Sequence, residues 1–393
     1  MHVAFEIPDS ENPDYLTKQL ITYLGNKRAL LDFIGQGVSL VQKRLNTKHL
    51  SCFDVFSGSG IVSRYFKQFA SVLYANDREA YARTISLCYL ANSGDVSLKK
   101  LNMLLRELNE RCDALLKNFL HGAGGERFGK NRPGFISELY APRAMHRIKL
   151  GERCFYTPYN ACYLDCMRQS IDTVVPQELR HFFIAPLLSE ASVHANTGGV
   201  FKGFYKNSTT GAGKFGGNGE AALSRITGHI ALSLPVFSRF ACPSVVFCED
   251  ANILAASSDS PEVDLAYLDP PYNQHPYGSN YFMLNLVATY KAPDIGKLSR
   301  VSGIPRDWNR SCYNRRAEGA AAFLDLVQHV RAKFLLVSFN SEGFISPEQM
   351  TGLLESVGSV TVLEAPYPTY RASRNLSARN IHVKEFLYVV EKR

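Results

Sequence analysis

The sequence predicts an α/β fold with a doubly wound, parallel sheet, and a strand-turn-helix alternation carries that prediction. Residues 50–56 form an apolar run typical of a buried strand, which leads into the glycine turn 57–60 and an amphipathic stretch beginning at 61–66. The alternation repeats with a second strand at 71–75 and a helix at 80–90. Strands separated by helices favour a parallel sheet whose ligand lies at the carboxyl ends of the strands.

Further strands are predicted in the second half of the chain, after a long interruption. They cover 245–248, 265–268, 334–339, 360–363 and 385–390. Between about residues 92 and 243 the pattern changes to helices and glycine-rich loops, over a length far beyond that of a normal crossover. We therefore expect an α/β domain in two parts, 1–91 and 244–393, with an inserted, mostly helical region at 92–243.

Composition places the chain among folded proteins and only weakly favours a polyanionic partner. The chain has 393 residues, 46% of them hydrophobic, and 44 Lys and Arg against 36 Asp and Glu give a net charge of +8. The nine cysteines lack CxxC pairs and zinc-finger spacing, so we expect reduced, mostly buried thiols and no metal site. The first 14 residues do not resemble a signal peptide, and no apolar run reaches the length of a membrane span. These features predict a cytoplasmic protein.

A carboxylate, two prolines and an aromatic ring follow the apolar run 263–268 directly, as Asp269, Pro270, Pro271 and Tyr272. This strand end is suited to holding an exocyclic amine during its attack on a methyl donor, because the Asp269 carboxylate and the Pro270 carbonyl can each accept one N–H. The prolines restrict the backbone and set both acceptors before substrate arrives. The Tyr272 ring offers a face for stacking a base. An Asp-Pro-Pro turn that simply ends a strand is the alternative.

The glycine turn at 56–60 predicts a second ligand-binding element. Its glycines let the backbone pass close to a ligand before a helix begins. Ser63 occupies the place of the third glycine of a dinucleotide fingerprint, which favours a smaller adenosyl ligand. Asp77, at the end of the second strand, is placed to accept hydrogen bonds from ribose hydroxyls. A helix cap ahead of 80–90 is the alternative for Asp77.

A third glycine-rich segment, 211–216, matches GxGxxG but lacks the context of a nucleotide site. Ser208 stands where a phosphate loop needs its first glycine, and Phe215 stands where it needs Ser or Thr. No clear strand leads into the segment. We interpret it as a surface loop.

Four motifs occur along the chain in a specific order. They are Tyr23-Leu-Gly-Asn-Lys-Arg28, Phe53-Asp-Val-Phe-Ser-Gly-Ser-Gly60, Asn76-Asp77 and Asp269-Pro-Pro-Tyr272. In this order the chain resembles the amino-group DNA adenine methyltransferases of the Dam-like group, which use S-adenosylmethionine. The extension 273–281 is similar to the version in methyltransferases of type II restriction-modification systems. One departure is Asn26, where the family more often has a second glycine.

The resemblance implies a Rossmann-like, S-adenosylmethionine-dependent methyltransferase fold and a role for each motif. Lys27 would lie near the methionine carboxylate of the cofactor, and Asp77 would bind its ribose. Asp250 would accept from the adenine amine of the cofactor, with a strand-end turn as its alternative. Asp269 would serve both the cofactor and the target base. The predicted cofactor-binding residues are Tyr23, Lys27, Asp54, Phe56, Gly58, Gly60, Asp77, Asp250 and Asp269.

The implied reaction is direct transfer of a methyl group to the N6 amine of a flipped adenine in double-stranded DNA. The predicted catalytic residues are Asp269, Pro270, Pro271 and Tyr272. A cysteine mechanism finds no Pro-Cys nucleophile, since Cys242 precedes its proline. Two alternatives stay open: methylation of another amine, such as cytosine N4, an RNA base or a protein glutamine, and a non-catalytic DNA-binding relative. By resemblance, an acid at 269 favours adenine.

DNA contacts are expected mainly from the inserted region, which we interpret as the target-recognition part. Its loops 121–134 and 202–225 combine flexible backbone with Arg, Lys and Asn, and a second basic loop spans 370–379. The candidate DNA-binding residues are Lys202, Lys214, Asn218, Arg225, Arg371 and Arg374. Solvated surface loops are the alternative. Any cognate restriction endonuclease would be a separate chain, and the protein would be DNA-associated in a prokaryotic cytoplasm or encoded by a phage.

Overall fold

A central sheet organises the computed structural model, which describes residues 10–217, 222–272, 274, 276–341, 343–368 and 382–393. Within these residues the sheet has seven strands in the order β5-β2-β1-β6-β7-β9-β8. The strands are β1 Leu50–Asp54, β2 Ala70–Asn76, β5 Ser244–Phe247, β6 Val263–Leu268, β7 Ala332–Asn340, β8 Gly358–Pro368 and β9 His382–Lys392, while β3 Leu120–His121 and β4 Arg127–Phe128 form a separate antiparallel pair. Strands β5, β2, β1, β6 and β7 run parallel, and β9 is antiparallel to both of its neighbours.

The doubly wound α/β class predicted from the sequence is confirmed. The chain passes from β1 to β2 on one side and later places β6 on the other side of β1, so the strand order reverses between β1 and β6. In open α/β sheets a crevice forms at such a reversal, outside the carboxyl ends of the strands. The predicted strands at 50–56, 71–75 and 265–268 lie around this point.

Helices cover both faces of the sheet because alternate residues of each buried strand point to opposite faces. The helices are α1 Pro13–Thr17, α2 Leu31–Leu45, α3 Ile61–Phe66, α4 Ala80–Tyr89, α5 Leu98–Phe119, α6 Phe135–Tyr140, α7 Pro158–Val174, α8 His181–Val193, α9 Leu223–Thr227, α10 Ala251–Ala256, α11 Tyr277–Asn280, α12 Phe282–Thr289, α13 Arg316–His329 and α14 Pro347–Glu355. On β6, Leu265 and Tyr267 pack with α2 and α3, whereas Ala266 and Leu268 pack with α10, α13 and α14.

The inserted region contains α5 to α9, in agreement with the helical pattern expected for 92–243. Its apolar core continues into α4 and α12, so these helices share one hydrophobic cluster with the region. Buried Asp165 on α7 strengthens the connection by accepting hydrogen bonds from the Ser137 backbone N–H at 2.7 Å and from the Tyr290 hydroxyl at 2.8 Å. Among the described residues, no helix is both long and apolar enough to cross a bilayer.

Asn76 ties together the ends of three strands. Its side-chain amide donates to the carbonyls of Val55 and Glu249 at 3.2 and 3.1 Å, and its oxygen accepts from the Glu249 N–H at 3.0 Å. The side chain is 1% exposed, so water does not replace these partners easily. Asn76 therefore fixes how the ends of β1, β2 and β5 meet.

We predict that Asn76→Ala lowers the free energy of unfolding by about 2–4 kcal/mol, because it leaves buried backbone groups without partners. Chemical denaturation measures this loss. Asn102→Ala, on the exposed surface of α5, is the control and should change stability by less than about 0.5 kcal/mol. Equal effects of the two substitutions would contradict the role of Asn76.

Candidate active site

A cleft opens at the carboxyl ends of β2, β5 and β6. The lining residues include Tyr23, Phe56, Asp77, Asp250, Asp269 and Pro271 from the predicted site, together with Gly25, Asn76, Arg78, Glu79, Glu249, Ala251, Tyr277, Gly278, Asn309, Ser311, Tyr313 and Asn314. The strand-end acids expected from the sequence therefore share one cavity.

The glycine turn packs tightly on one side of this cleft. Gly58 and Gly60 have φ angles of 51° and 75°, which favour glycine. A Cβ at Gly58 would also lie 2.8 Å from the Tyr23 hydroxyl oxygen. These two constraints explain why glycine stands at position 58.

Asp77 holds the turn from the end of β2. Its Oδ2 accepts from the Gly58 N–H at 2.8 Å, and its Oδ1 accepts from the Glu79 N–H at 2.9 Å. Burial raises the pKa of Asp77 to about 6. Helix α4 has Glu79 as its N-cap residue, so the alternative of Asp77 as that cap is not what the structure shows.

Asp250 combines a structural contact with a position on the cleft wall. Its Oδ1 accepts from the Asn252 and Ile253 N–H groups at 3.1 and 3.4 Å and caps α10. Its Oδ2 lies 3.1 Å from an Arg78 guanidinium nitrogen. Its predicted contact with a cofactor stays a prediction.

Asp269 and Lys27 form a buried ion pair at the end of β6. The Lys27 Nζ lies 3.1 Å from Asp269 Oδ1, and the two side chains are 4% and 18% exposed. Burial alone would lower the pKa of Lys27, but Asp269, Tyr272 and Glu385 raise it well above its ordinary value. Burial raises the pKa of Asp269, and the Lys27 ammonium offsets part of that increase. Lys27 is therefore a partner of the carboxylate, a contact that sequence reasoning missed.

The Tyr272 ring is held beside this ion pair. It packs against Phe339 with ring centroids 5.2 Å apart, and its hydroxyl accepts from the Asn340 side-chain amide at 2.8 Å. The Lys27 Nζ lies 5.6 Å from the ring centroid. Pro271 lines the cleft and Pro270 is buried, so the backbone at this strand end is enclosed.

Stacked tyrosines close one end of the cleft. The Tyr23 ring lies 5.0 Å from the ring centroids of both Tyr277 and Tyr281. The Tyr281 hydroxyl accepts from the Leu24 N–H at 2.8 Å, and the Tyr277 hydroxyl donates to the Leu24 carbonyl at 3.1 Å. The segment around Tyr23 is thereby joined to α11 and α12.

Another part of the cleft wall comes from a segment that no sequence pattern marked. Asn309, Ser311 and Tyr313 line the cleft between α12 and α13, and the Tyr313 ring meets the Phe56 ring edge-on at 5.5 Å. The Tyr313 hydroxyl donates to Asn252 Oδ1 at 2.7 Å. The segment has no strand, turn or glycine pattern that could have marked it.

Asp54 lies beneath the glycine turn and outside the cleft lining. It is fully buried and accepts a short hydrogen bond from the Ser63 hydroxyl, while its Oδ1 has no hydrogen-bond partner among the described residues. Burial raises the pKa of Asp54 to about 7. The cofactor contact expected of Asp54 stays a prediction.

The candidate DNA-binding residues differ in their surroundings. Lys202 is exposed, and Lys214 is half-buried in the irregular 211–217 segment, where its N–H donates to the Tyr205 carbonyl at 3.0 Å. The Arg225 guanidinium on α9 binds backbone carbonyls, among them that of Ala195 at 3.1 Å, and so helps hold the chain that follows α8. Asn218, Arg371 and Arg374 lie outside the described residues. The DNA contacts of all six remain predictions.

Comparison with known families decides the class of this site. The family described as D12 class N6 adenine-specific DNA methyltransferase matches residues 23–215 and 243–348. The chain belongs to this family. The match covers most of the inserted region as well as both sides of it, and it includes all four motifs on which the resemblance rests.

Two named relatives match this chain over almost their full length, and a third matches it over about half of its own. Type II methyltransferase M.CviAII of Paramecium bursaria Chlorella virus 1 is 29% identical over 94% of this chain and 98% of its own length. Type II methyltransferase M.NlaIII of Neisseria lactamica is 26% identical over 95% and 99%. Modification methylase StsI of Streptococcus sanguinis is 26% identical over 94% of this chain and 52% of its own length. The predictions of an adenine-specific DNA methyltransferase and of the adenine N6 amine as the target are confirmed by the family.

The buried Asp54 gives a testable dependence of stability on pH. Because its pKa rises from an ordinary 3.8 to about 7, the folded chain binds a proton that the unfolded chain has released. This group therefore lowers stability as the pH rises from about 4 to about 7. We predict that Asp54→Asn, which keeps the shape and removes the titration, loses less stability over that range than the wild type.

Denaturation at a series of pH values measures this dependence. Asp113→Asn, at an exposed position of α5, is the matched control and should keep the wild-type profile. Parallel profiles for Asp54→Asn and the wild type would show that Asp54 does not titrate in this way.

Proposed function

We propose that this DNA adenine methyltransferase uses S-adenosylmethionine to methylate N6 of an adenine flipped out of double-stranded DNA, at specific sites, as the modification enzyme of a restriction-modification system. The names of its relatives support the biological setting. A cognate endonuclease would be a separate chain that acts at the same site. The observation that carries the chemistry is the common cleft of Asp77, Asp250 and Asp269.

The cleft residues fit an adenosyl cofactor. Asp77 and Asp250 offer carboxylate oxygens at the ends of neighbouring strands, suited to a ribose diol and to an aromatic amine respectively. Phe56 and Tyr313 offer aromatic surfaces between them. When bound, S-adenosylmethionine supplies a methyl group activated by its sulfonium. In our proposal Tyr23, Lys27, Asp54, Phe56, Gly58, Gly60, Asp77, Asp250 and Asp269 form or support this pocket.

Asp269 and Pro270 supply the acceptors for the target amine. The lone pair of an adenine amine is delocalised into the ring, so the free base is a poor nucleophile. Accepting one N–H at the Asp269 carboxylate and the other at the Pro270 carbonyl favours a tetrahedral nitrogen and the positive charge that develops on it. Pro271 restricts the backbone of this strand end, and Tyr272 offers its face to the flipped base.

Lys27 acts in this scheme as a positioning residue for Asp269. Its ammonium, 3.1 Å from Asp269 Oδ1, favours the ionised carboxylate in surroundings that otherwise disfavour charge. An ionised Asp269 is an acceptor only, whereas the protonated form would present a donor to the amine. The ion pair therefore keeps the carboxylate in the form that the reaction needs.

The division of labour along the chain is also a proposal. Residues 1–91 and 244–393 would form the catalytic part, and 92–243 would recognise the target sequence. Lys202 and Lys214 are the described candidates whose ammonium groups could reach DNA phosphates, and Arg225 would support the loop that carries them. In this proposal the two lysines position the protein on the DNA backbone and do not read bases.

The first test identifies the product. Purified protein is incubated with labelled S-adenosylmethionine and mixed-sequence duplex DNA, and the labelled nucleoside is identified by mass spectrometry. We predict that the labelled nucleoside is N6-methyl-2′-deoxyadenosine. We also predict that Asp269→Asn lowers the rate of methyl transfer at least about a hundredfold, because the amide replaces an ionised acceptor. Asp264→Asn, on the same strand but paired with Lys333, is the control and should stay within about twofold of the wild type. Label in cytosine, or full turnover of Asp269→Asn, would overturn the proposal.

The second test concerns the ion pair. We predict that Lys27→Gln moves the acidic limb of the kcat profile to higher pH, because loss of the ammonium raises the pKa of Asp269 further. At a pH below the limb, kcat of Lys27→Gln should be lower than that of the wild type by about tenfold for each unit by which the Asp269 pKa rises. The difference should disappear as the pH increases. Lys43→Gln, an exposed substitution on α2, should keep the wild-type profile. A uniform loss of kcat at every pH would refute the assigned role of Lys27.

A further inference from the structure

A strongly basic segment joins α12 to α13, and its residues ahead of Asn309 are not used by the chemistry above. Residues 291–316 contain seven Lys and Arg and two Asp, a net charge of +5, whereas the whole chain carries +8. The segment also contains Trp308, the single tryptophan of the chain. Such a concentration of charge on one connection points to a polyanionic partner.

Part of this segment folds into a small hairpin. The Ser299 N–H donates to the Ile304 carbonyl at 2.9 Å, and the Arg306 N–H donates to the Lys297 carbonyl at 3.0 Å. Gly303 has a φ of 69°, and a Cβ there would lie 2.7 Å from Arg153 Nε. We refer to residues 297–306 as the 297–306 hairpin.

The hairpin is fixed between the inserted region and the cleft. The Tyr140 hydroxyl donates to the Gly303 carbonyl at 2.9 Å, and an Arg153 guanidinium nitrogen donates to the Ser299 carbonyl at 3.4 Å. A few residues further on, Asn309 lines the cleft and donates to the Arg78 carbonyl at 3.2 Å. A duplex that presents a base to the cleft would therefore pass close to the hairpin.

Two exposed arginines of the hairpin lack a partner of opposite charge among the described residues, whereas Lys297 lies 4.0 Å from Asp294. Arg300 and Arg306 are exposed and make no side-chain hydrogen bond or ion pair within the described part of the chain. Between them Val301 is 59% exposed, and Ile295, just before the hairpin, is 73% exposed. Unpaired guanidinium groups around exposed apolar side chains match a ligand with anionic phosphates and apolar bases or sugars.

We infer that the 297–306 hairpin binds duplex DNA beside the cleft, with Arg300 and Arg306 on backbone phosphates and Val301 packed against the duplex. The inference deepens the proposed function, since the ligand is the substrate of the same site. It adds a DNA-binding element outside the 92–243 region.

The dependence of DNA affinity on salt tests this inference directly. Each phosphate contact that is lost reduces the slope of log K against log salt by about 0.9. We predict that Arg300→Ala combined with Arg306→Ala reduces the slope for a short, labelled, mixed-sequence duplex by about 1.8, between about 50 and 200 mM salt. Within the described part of the chain the two side chains make no hydrogen bond or ion pair, so circular dichroism and thermal unfolding should be unchanged.

Lys43→Ala combined with Lys48→Ala is the matched control. It removes the same charge from exposed positions ahead of β1, at the amino ends of the parallel strands and so away from the cleft. The control should leave the slope unchanged. Trp308 offers a second readout, because DNA bound at the hairpin should change its fluorescence and the arginine variant should move that change to higher DNA concentration.

An unchanged slope and an unchanged Trp308 titration in the arginine variant would overturn the inference, as would an equal loss of slope in the lysine control. These binding measurements do not depend on turnover. A wild-type protein that binds DNA through the hairpin without methylating it would refute the proposed function and leave the hairpin standing. A fully active arginine variant with the wild-type slope would refute the role of the hairpin and leave the proposed function standing.

Discussion

The buried ion pair between Lys27 and Asp269 is the interaction around which the site is arranged. It joins the amino-terminal segment to the end of β6, across more than half the length of the chain. Two charges removed from water are tolerated only when each has a close partner. Glu385 on β9 lies near the same ammonium and is itself 3% exposed, with a pKa that burial raises. Three separate parts of the chain thus meet at one cation, and the sheet order β6-β7-β9 makes that meeting possible.

The sheet places the remaining acids by the same geometry. The carboxyl ends of the parallel strands lie on one side of the sheet, so the carboxylates that follow β2, β5 and β6 converge even though they are far apart in sequence. Convergence has an electrostatic consequence, because enclosed carboxyl groups are harder to ionise: burial raises the pKa of Asp77 to about 6 and of Glu79 to about 7. Backbone N–H donors at Gly58 and the start of α4 stabilise the charge on Asp77, which connects the glycine turn to the acid behind it.

Sequence reasoning found the parts of the site that local patterns determine. An apolar run followed by polar residues marks a strand end, and the glycines mark the turn, so Gly58, Asp77 and Asp269 could be selected without coordinates. Contacts between distant segments could not be predicted. The wall at 309–314 has no periodic pattern, and the pairing of Lys27 with Asp269 depends on how the first 30 residues pack. Arg225 shows the converse, because composition marks it as a DNA contact while its guanidinium binds backbone carbonyls.

A short, well-packed stretch of chain connects the end of β6 to the inserted region. After Tyr272 the chain enters α11 and α12, whose tyrosines stack on Tyr23 at the cleft. Helix α12 then packs against α4 and α8 and is followed by Tyr290, whose hydroxyl donates to Asp165 inside the inserted region. A single short stretch of chain therefore touches the cleft at its start and the inserted region at its end. Since close-packed contacts transmit displacements, a shift of the inserted region would also move the tyrosines that close the cleft.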